Sequence, residues 1–272
     1  MASPHRRNDR RGGRDGGYSP ADKGAGAEWV WGRHAVLAAL GNPRRTGFRR
    51  LVATAAKAGE LHGRLPEGLE VETRDGREIE RMLPQGAAHQ GLALQVAPLE
   101  PVALAELAEP AEGLLLMLDQ VTDPQNVGAI LRSAAAFGAR GVVLQERHAP
   151  PLGGAVAKAA VGALDLVPVC RVVNLSRALE QLAEAGWRSV GLDGEAPEPL
   201  RAALDERPTV LVLGSEGEGL RRLVAEHCDA TAHIPMHGGF ESLNVSAAAA
   251  IALYEASQFA SQGNPVLVAH NL

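Results

Sequence analysis

Three stretches of this 272-residue sequence place polar, chemically capable side chains between an apolar run and a helical pattern. They are 114–145 (LLLMLDQVTDPQNVGAILRSAAAFGARGVVLQ), 209–220 (TVLVLGSEGEGL) and 233–257 (HIPMHGGFESLNVSAAAAIALYEAS). Each reads as a buried strand running into a loop and then a helix. The first loop opens with Asp119 at the strand end and closes with Asn126, placed to cap a helix from Val127. Arg132 follows nearly two turns later, flanking a buried face of Val127, Ile130, Leu131, Ala134 and Ala135. The second loop holds Gly214, Gly217 and Gly219 with Glu216 and Glu218. Its spacing is neither of the glycine patterns that cradle phosphates, and two carboxylates stand where a phosphate would sit. A cationic or zwitterionic ligand suits that loop better. The third loop sets Gly238 and Gly239 before Ser242 and Asn244, either of which can cap an alanine-rich helix able to pack closely on another segment or a second subunit. Taken singly, each has a plain structural reading: a capping asparagine, a solvated arginine, a turn needing positive φ. Together they point to one site built from three strand ends.

The elements that hold these loops form an alternation of strands and helices over 113–263, among them strands at 114–118, 141–144, 165–171, 189–193, 209–213 and 230–234. Apolar strands separated by helices imply a mostly parallel sheet covered on both faces, with ligands at the carboxyl ends of the strands. A smaller αβαβαβ unit is expected over 28–98, with helices at 32–40, 58–65 and 77–83 and strands at 50–54, 69–73 and 91–96. Residues 99–112, rich in Pro, Ala and Glu, read as a linker, and 264–272 as a C-terminal tail.

Composition bounds the rest. Hydrophobic residues make up 46% of the chain, enough for one large core or two modest ones. No apolar run reaches the roughly 18 to 20 residues of a membrane span, and the N-terminus has no apolar signal core, so a soluble cytoplasmic protein is expected. Cys170 and Cys228 occur without metal-ligand spacing, so no metal is expected and both read as core or near-core residues. The net charge of −5 argues weakly against nucleic acid, but charge is unevenly placed. Residues 1–27 read as a disordered basic tail, either solubilising or an arm for phosphates. Arg33, His34, Arg44, Arg45, Arg49 and Arg50 give the N-terminal unit local positive charge suited to RNA.

The three loops resemble the signature motifs of the SpoU-type (TrmH-like) branch of the SPOUT RNA 2′-O-methyltransferases: N-[VL]-G-A-x-x-R-[ST] at 126–133, G-x-E-G-x-G at 214–219 and S-L-N-V-S at 242–246. In the N-terminal unit, G-x-H-A-V at 32–36 and H-Q-G at 89–91 are similar to the small RNA-binding domain of the family's 23S rRNA guanosine methyltransferases. The resemblance implies an α/β fold with a deep trefoil knot in the C-terminal domain, a small L30e-like N-terminal RNA-binding domain, a homodimer and S-adenosylmethionine as cofactor. By the same carry-over, Leu213, Gly214, Ile234, Met236 and Leu243 hold the cofactor. Asn126, Arg132, Glu216 and Asn244 then lie near the reacting groups, and Arg33, His34, Arg49 and Arg50 meet the RNA. The implied reaction is methylation of a ribose in 23S rRNA, a guanosine of the peptidyl-transferase loop. Alternatives are a tRNA guanosine 2′-O-methyltransferase, which generally lacks the N-terminal unit, and a non-catalytic rRNA-binding assembly factor. A class I methyltransferase is disfavoured, because no glycine-rich turn follows the first strand of the C-terminal unit.

Overall fold

The computed structural model describes residues 27–260 apart from 62, 64, 154, 216 and 239–241. The basic tail, the C-terminal tail and Glu216 therefore lie outside the described residues, save for Ala27 at the tail's end.

The N-terminal unit comprises β1 (Glu28–Trp31), α1 (Arg33–Gly41), β2 (Arg50–Ala53), α2 (Ala55–Ala58), β3 (Val71–Thr73), α3 (Gly76–Met82) and β4 (Leu92–Val96). The sheet order is β1-β4-β2-β3, with β4 antiparallel to both neighbours. It opens with a strand where the sequence pattern predicts a helix first. A four-residue edge strand carries too little alternation to announce itself. Alternate residues of these strands feed two cores: Val30, Leu51, Leu92, Leu94 and Val96 pack against α1, while Val52 and Ala93 meet Ile79 and Leu83 of the α3 segment. Asp75 and Glu78 close a reciprocal cap at the start of α3.

The chain continues through α4 (Leu104–Ala108) into β5 (Leu114–Leu118), α5 (Pro124–Ala136), β6 (Gly141–Gln145), α6 (Ala155–Ala160), α7 (Ala163–Leu166) and β7 (Val169–Val172). There follow α8 (Leu175–Glu184), β8 (Arg188–Leu192), α9 (Leu200–Ala203), β9 (Thr209–Leu213), α10 (Arg222–Glu226), β10 (Ala230–Ala232) and α11 (Val245–Ala260). The strands form one parallel sheet in the order β10-β8-β9-β5-β6-β7, as the pattern of alternating strands and helices predicts. Every residue of β5 and β9 is buried because both sheet faces are covered. Leu114, Leu116, Leu118, Leu211 and Leu213 face α5 and α11; Leu115, Met117, Val210 and Val212 face α8 and α10.

Several boundaries differ from expectation, among them the helix expected over 58–65, which is α2 at Ala55–Ala58, and two that bear on the site and on the junction of the units. Helix α5 starts at Pro124 with Asp123 as its cap, the carboxylate accepting from the Gln125 amide at 3.1 Å, so Asn126 sits inside the first turn and is not the cap. An Asp-Pro pair, with proline's fixed φ at the first helical position, decides this start. The strand expected over 165–171 is instead α7 followed by β7, because Asp165 is drawn into a contact with the other unit.

That contact joins the two units. The buried Arg45 guanidinium donates to Asp165 at 2.7 Å, to Glu28 at 2.9 Å and to the Ala97 carbonyl at 2.8 Å, while Asn42 donates to Asp165 at 3.0 Å. Arg45 is thus corrected from a member of the basic surface to an internal ion-pair residue. The stretch read as a linker is packed onto the catalytic sheet: Val102 pairs with β7, Trp187 donates to the Ala108 carbonyl at 2.8 Å, and Arg140 to the Leu107 carbonyl at 2.8 Å.

Candidate active site

The carboxyl ends of β8, β9 and β10 open into one cleft of about 1110 Å³. All five positions expected to hold a cofactor line it: Leu213 and Gly214 after β9, Ile234 and Met236 after β10, and Leu243 before α11. Strand order reverses beside it, between β5 and β9, since the chain runs outward through β6 and β7 and returns on the other side of β5 as β8 and β9. Such switch points open crevices at strand ends.

Glycine shapes the central loop. Ser215 and Gly219 exchange two backbone hydrogen bonds at 3.1 Å, closing a tight turn with Gly217 at φ +90° and Gly219 at φ +65°. A Cβ on Gly214 would fall 2.0 Å from the Gly219 carbonyl carbon, so only glycine lets the loop fold back on itself. The turn is then fastened from behind. Asp119, fully buried at the end of β5, accepts from the Arg221 amide at 3.0 Å and its Nε at 2.7 Å, and Arg221 also donates to Gln145 at 3.0 Å. Arg221 had no place among the expected site residues. Its signal is physical: a carboxylate directly after five buried apolar residues requires a hydrogen-bonded cation.

The cleft suits S-adenosylmethionine on its own chemistry. Partly exposed Met236 and Leu243 offer apolar surface, while Asp193, Glu195 and Glu218 supply the negative charge that favours an ammonium or sulfonium ligand and opposes a polyphosphate.

Of the residues expected near the reacting groups, two meet directly. Asn244 Nδ2 donates to Asn126 Oδ1 at 3.1 Å, and the Asn244 Oδ1 accepts from the Ser246 amide at 2.9 Å, capping α11. Asn244 lies between Leu243 and Val245, both cleft residues. Arg132 is not brought to this cleft within one chain. It is exposed and makes no hydrogen bond or ion pair among the described residues. Asn126 and Phe137 share the flank of α5 that faces α11, where Phe137 packs edge-on against Tyr254. Arg132 lies roughly 120° around the helix from Asn126, one turn past Gly128. Gly128 faces α6 so closely that a Cβ there would fall 2.3 Å from the Ala159 Cβ.

On the N-terminal unit, Arg33 pairs with Glu60 at 3.3 Å, and Arg50 clasps Glu72 through two bonds of 2.8 and 2.9 Å while lying over the Trp29 ring. The Arg50 hydrogen bonds hold the Glu72 carboxyl below its ordinary range. Arg49 and His34 are exposed.

Comparison with known proteins matches residues 113–254 to the SpoU rRNA methylase family, and residues 29–102 to the substrate-binding domain of RNA 2′-O ribose methyltransferases. The 23S rRNA (guanosine-2′-O-)-methyltransferase RlmB of Xylella fastidiosa is 42% identical, over 84% of this chain and 95% of its own. An uncharacterized tRNA/rRNA methyltransferase of Synechocystis is 41% identical over 83% of this chain, which spans 61% of that relative's length. Among solved structures, the SpoU methyltransferase AviRb of Streptomyces viridochromogenes, in complex with AdoMet, superposes with a TM-score of 0.72 at 27% identity, covering 86% of this chain and 90% of its own. The chain belongs to the SpoU rRNA methylase family, with an RNA 2′-O ribose methyltransferase substrate-binding domain ahead of the catalytic one.

Proposed function

We infer that this protein methylates a ribose 2′-hydroxyl of 23S rRNA, on a guanosine of the peptidyl-transferase loop, using S-adenosylmethionine. The observation that carries the reading is the convergence of the loops after β8, β9 and β10 on a single acidic and apolar cleft, beside the Asn126–Asn244 pair, in a chain with a substrate-binding domain. Similarity to RlmB enzymes supports the rRNA guanosine over tRNA, as does the N-terminal unit.

When bound, the cofactor supplies an electrophilic methyl on a sulfonium. The loop residues Leu213, Gly214, Ile234, Met236 and Leu243 would hold it. A ribose hydroxyl is a poor nucleophile until its proton leaves or its developing charge is stabilised. Arg132 presents a planar fork of N–H donors and no acceptor, so its task is to hold the adjacent phosphate and stabilise the alkoxide, not to accept the proton. Asn126 and Asn244 orient the loop ends at the hydroxyl, and Glu216 orients Arg132.

Two further parts of the reading follow. Arg132 leaves its own cleft uncovered, which supports a homodimer in which one protomer's arginine serves its partner's cleft. The exposed stripe of Ala247, Ile251 and Tyr254 along α11 supports that pairing. We also assign a knotted crossing after β10, because the chain leaves the sheet edge there and returns as α11 against central β5 and β9. The division into 28–98 for RNA, 99–112 as connection and 113–263 for catalysis completes the proposal. Arg33, His34, Arg49 and Arg50 meet the RNA. The place of action is the cytoplasm; no helix among the described residues is long and apolar enough to cross a membrane.

The test is mapping of 2′-O-methyl marks on 23S rRNA and tRNA from cells lacking the protein, paired with transfer of tritiated methyl to a 23S rRNA transcript. Loss of one peptidyl-transferase-loop guanosine mark is expected. Loss on tRNA alone overturns the rRNA assignment, and no loss with no transfer overturns the enzyme.

A further inference from the structure

A second opening, of about 240 Å³, lies at the seam between the two units, away from the candidate active site. One wall is the free edge of β1. The Gly32 amide donates to the Leu92 carbonyl at 3.1 Å, which fixes the phase of the β1–β4 ladder. In that phase the backbone groups of Trp29 and Trp31 point away from β4 and toward the opening. The other wall is the side of α6 turned away from Gly128, carrying Ala157 and Lys158. Two of the chain's three tryptophans, Trp29 and Trp31, line it, partly buried and packed also on the core around Ile79 and Leu83.

Two of its polar side chains, Lys158 and His34, make no hydrogen bond or ion pair among the described residues. Gln90 accepts the Arg33 amide on its Oε1 at 3.0 Å, leaving its amide nitrogen for a ligand. Two residues at the rim, Gln90 at φ +52° and Val161 at φ +50°, adopt left-handed backbone. For a β-branched valine that conformation is strained, and such strain concentrates where a site is held in shape.

We propose that this cleft binds a single unpaired nucleotide of the RNA substrate, its base against Trp31 and its phosphate on Lys158. The inference rests on the RNA-methylating reading above. Flat aromatic surface, main-chain groups that match base edges and a lone cation are what an unstacked nucleotide needs. By contrast Arg33 and Arg50 are each engaged with a carboxylate, so the arginine face offers less than its charge count implies. Helix α6 separates the cleft from α5, which carries Arg132, so the bound nucleotide sits about one helix packing distance, roughly 10 Å, from the arginine-bearing helix. The seam thereby sets which part of the RNA reaches the catalytic half.

The experiment uses the full chain, tritiated S-adenosylmethionine and a 23S rRNA transcript, with Lys158→Ala and with Ala88→Phe, which fills the cleft from an exposed rim position. Both variants are expected to raise the KM for RNA about tenfold, as loss of one stacked, charge-held nucleotide implies, with kcat and cofactor affinity within about twofold. An unchanged KM in both, alongside active wild type, overturns the cleft and leaves the reaction standing. A wild type that transfers no methyl overturns the functional reading. The cleft then stands on quenching of tryptophan fluorescence by a single-stranded RNA oligonucleotide, expected in wild type and lost in Ala88→Phe. Equal quenching in both, or none, overturns it.

Discussion

Arg132 and Gly214 fail in different ways when changed, and the difference tests the site. Arg132 is exposed and makes no hydrogen bond or ion pair among the described residues, so Arg132→Ala should leave stability little changed and cofactor affinity within a few fold while abolishing methyl transfer. Calorimetry paired with the tritiated-methyl assay reads both, and near-normal turnover removes Arg132 from the mechanism. Gly214→Ala instead forces a Cβ into the Gly219 backbone, so the loop must open. Cofactor affinity should fall by more than about tenfold, the scale of losing one or two well-placed contacts. The cysteines give a third residue-scale test. Burial, then Glu106, pushes the Cys170 thiol up to about 11; burial, then Asp229 and Asp119, pushes Cys228 up to about 12. Unfolded thiols titrate near 8.5, so their contribution to stability is complete below that pH and is lost as pH rises toward the folded values. Denaturant melts should show stability declining from roughly pH 8.5 toward pH 11, and less decline in a Cys228→Ala variant. Both thiols should resist alkylation near neutral pH until the protein is unfolded.

At the scale of elements, the sequence exposes what is periodic and hides what is paired at long range. The runs LLLML and TVLVL read as strands of a covered parallel sheet and are fully buried in its centre, and the loop after TVLVL lines the cleft, whereas the loop after LLLML does not. The five positions expected to hold a cofactor line one cleft because ligand crevices follow from strand ends. Less legible were the start of α5, where Asp123 and Pro124 outcompete Asn126, and the segment around Asp165, whose conformation is set by Arg45, 120 residues away. Burial lowers the pKa of the Arg45 guanidinium, but bonds to Asp165 and Glu28 outweigh it and leave it raised, so the charge stays in place at the seam. Arg45→Ala should strand two carboxylates and cost about 3 to 5 kcal/mol, a larger loss than any exposed ion pair here would give. Thermal melts measure the loss. Limited proteolysis should then cut first within 98–112, the connection that the seam protects; unchanged cleavage would show that the units are held together by other contacts.

At the scale of the whole molecule, Arg132 stands apart from the cleft that the proposed mechanism asks it to serve: it is exposed, absent from the cleft lining and one turn past Gly128, which packs on α6, whereas the cleft opens by Asn244 and α11. The homodimer proposed above, seated on the apolar stripe of α11, would resolve the mismatch, since a two-fold interface presents the same surfaces to each other in exchange. Charge placed in that stripe should break it: Ile251→Asp with Tyr254→Asp is expected to sediment as a monomer and to lose methyl transfer while still binding cofactor. A monomer that remains fully active would sink the shared site. The sharper measurement mixes two inactive proteins. Arg132→Ala keeps an intact cleft, and Gly214→Ala keeps an intact arginine. If sites are shared across the interface, half of the randomly formed dimers hold one complete site of two, so denaturation and joint refolding should restore about a quarter of wild-type activity. Arginine acting within its own chain would give no recovery, because no protomer in the mixture then contains both parts.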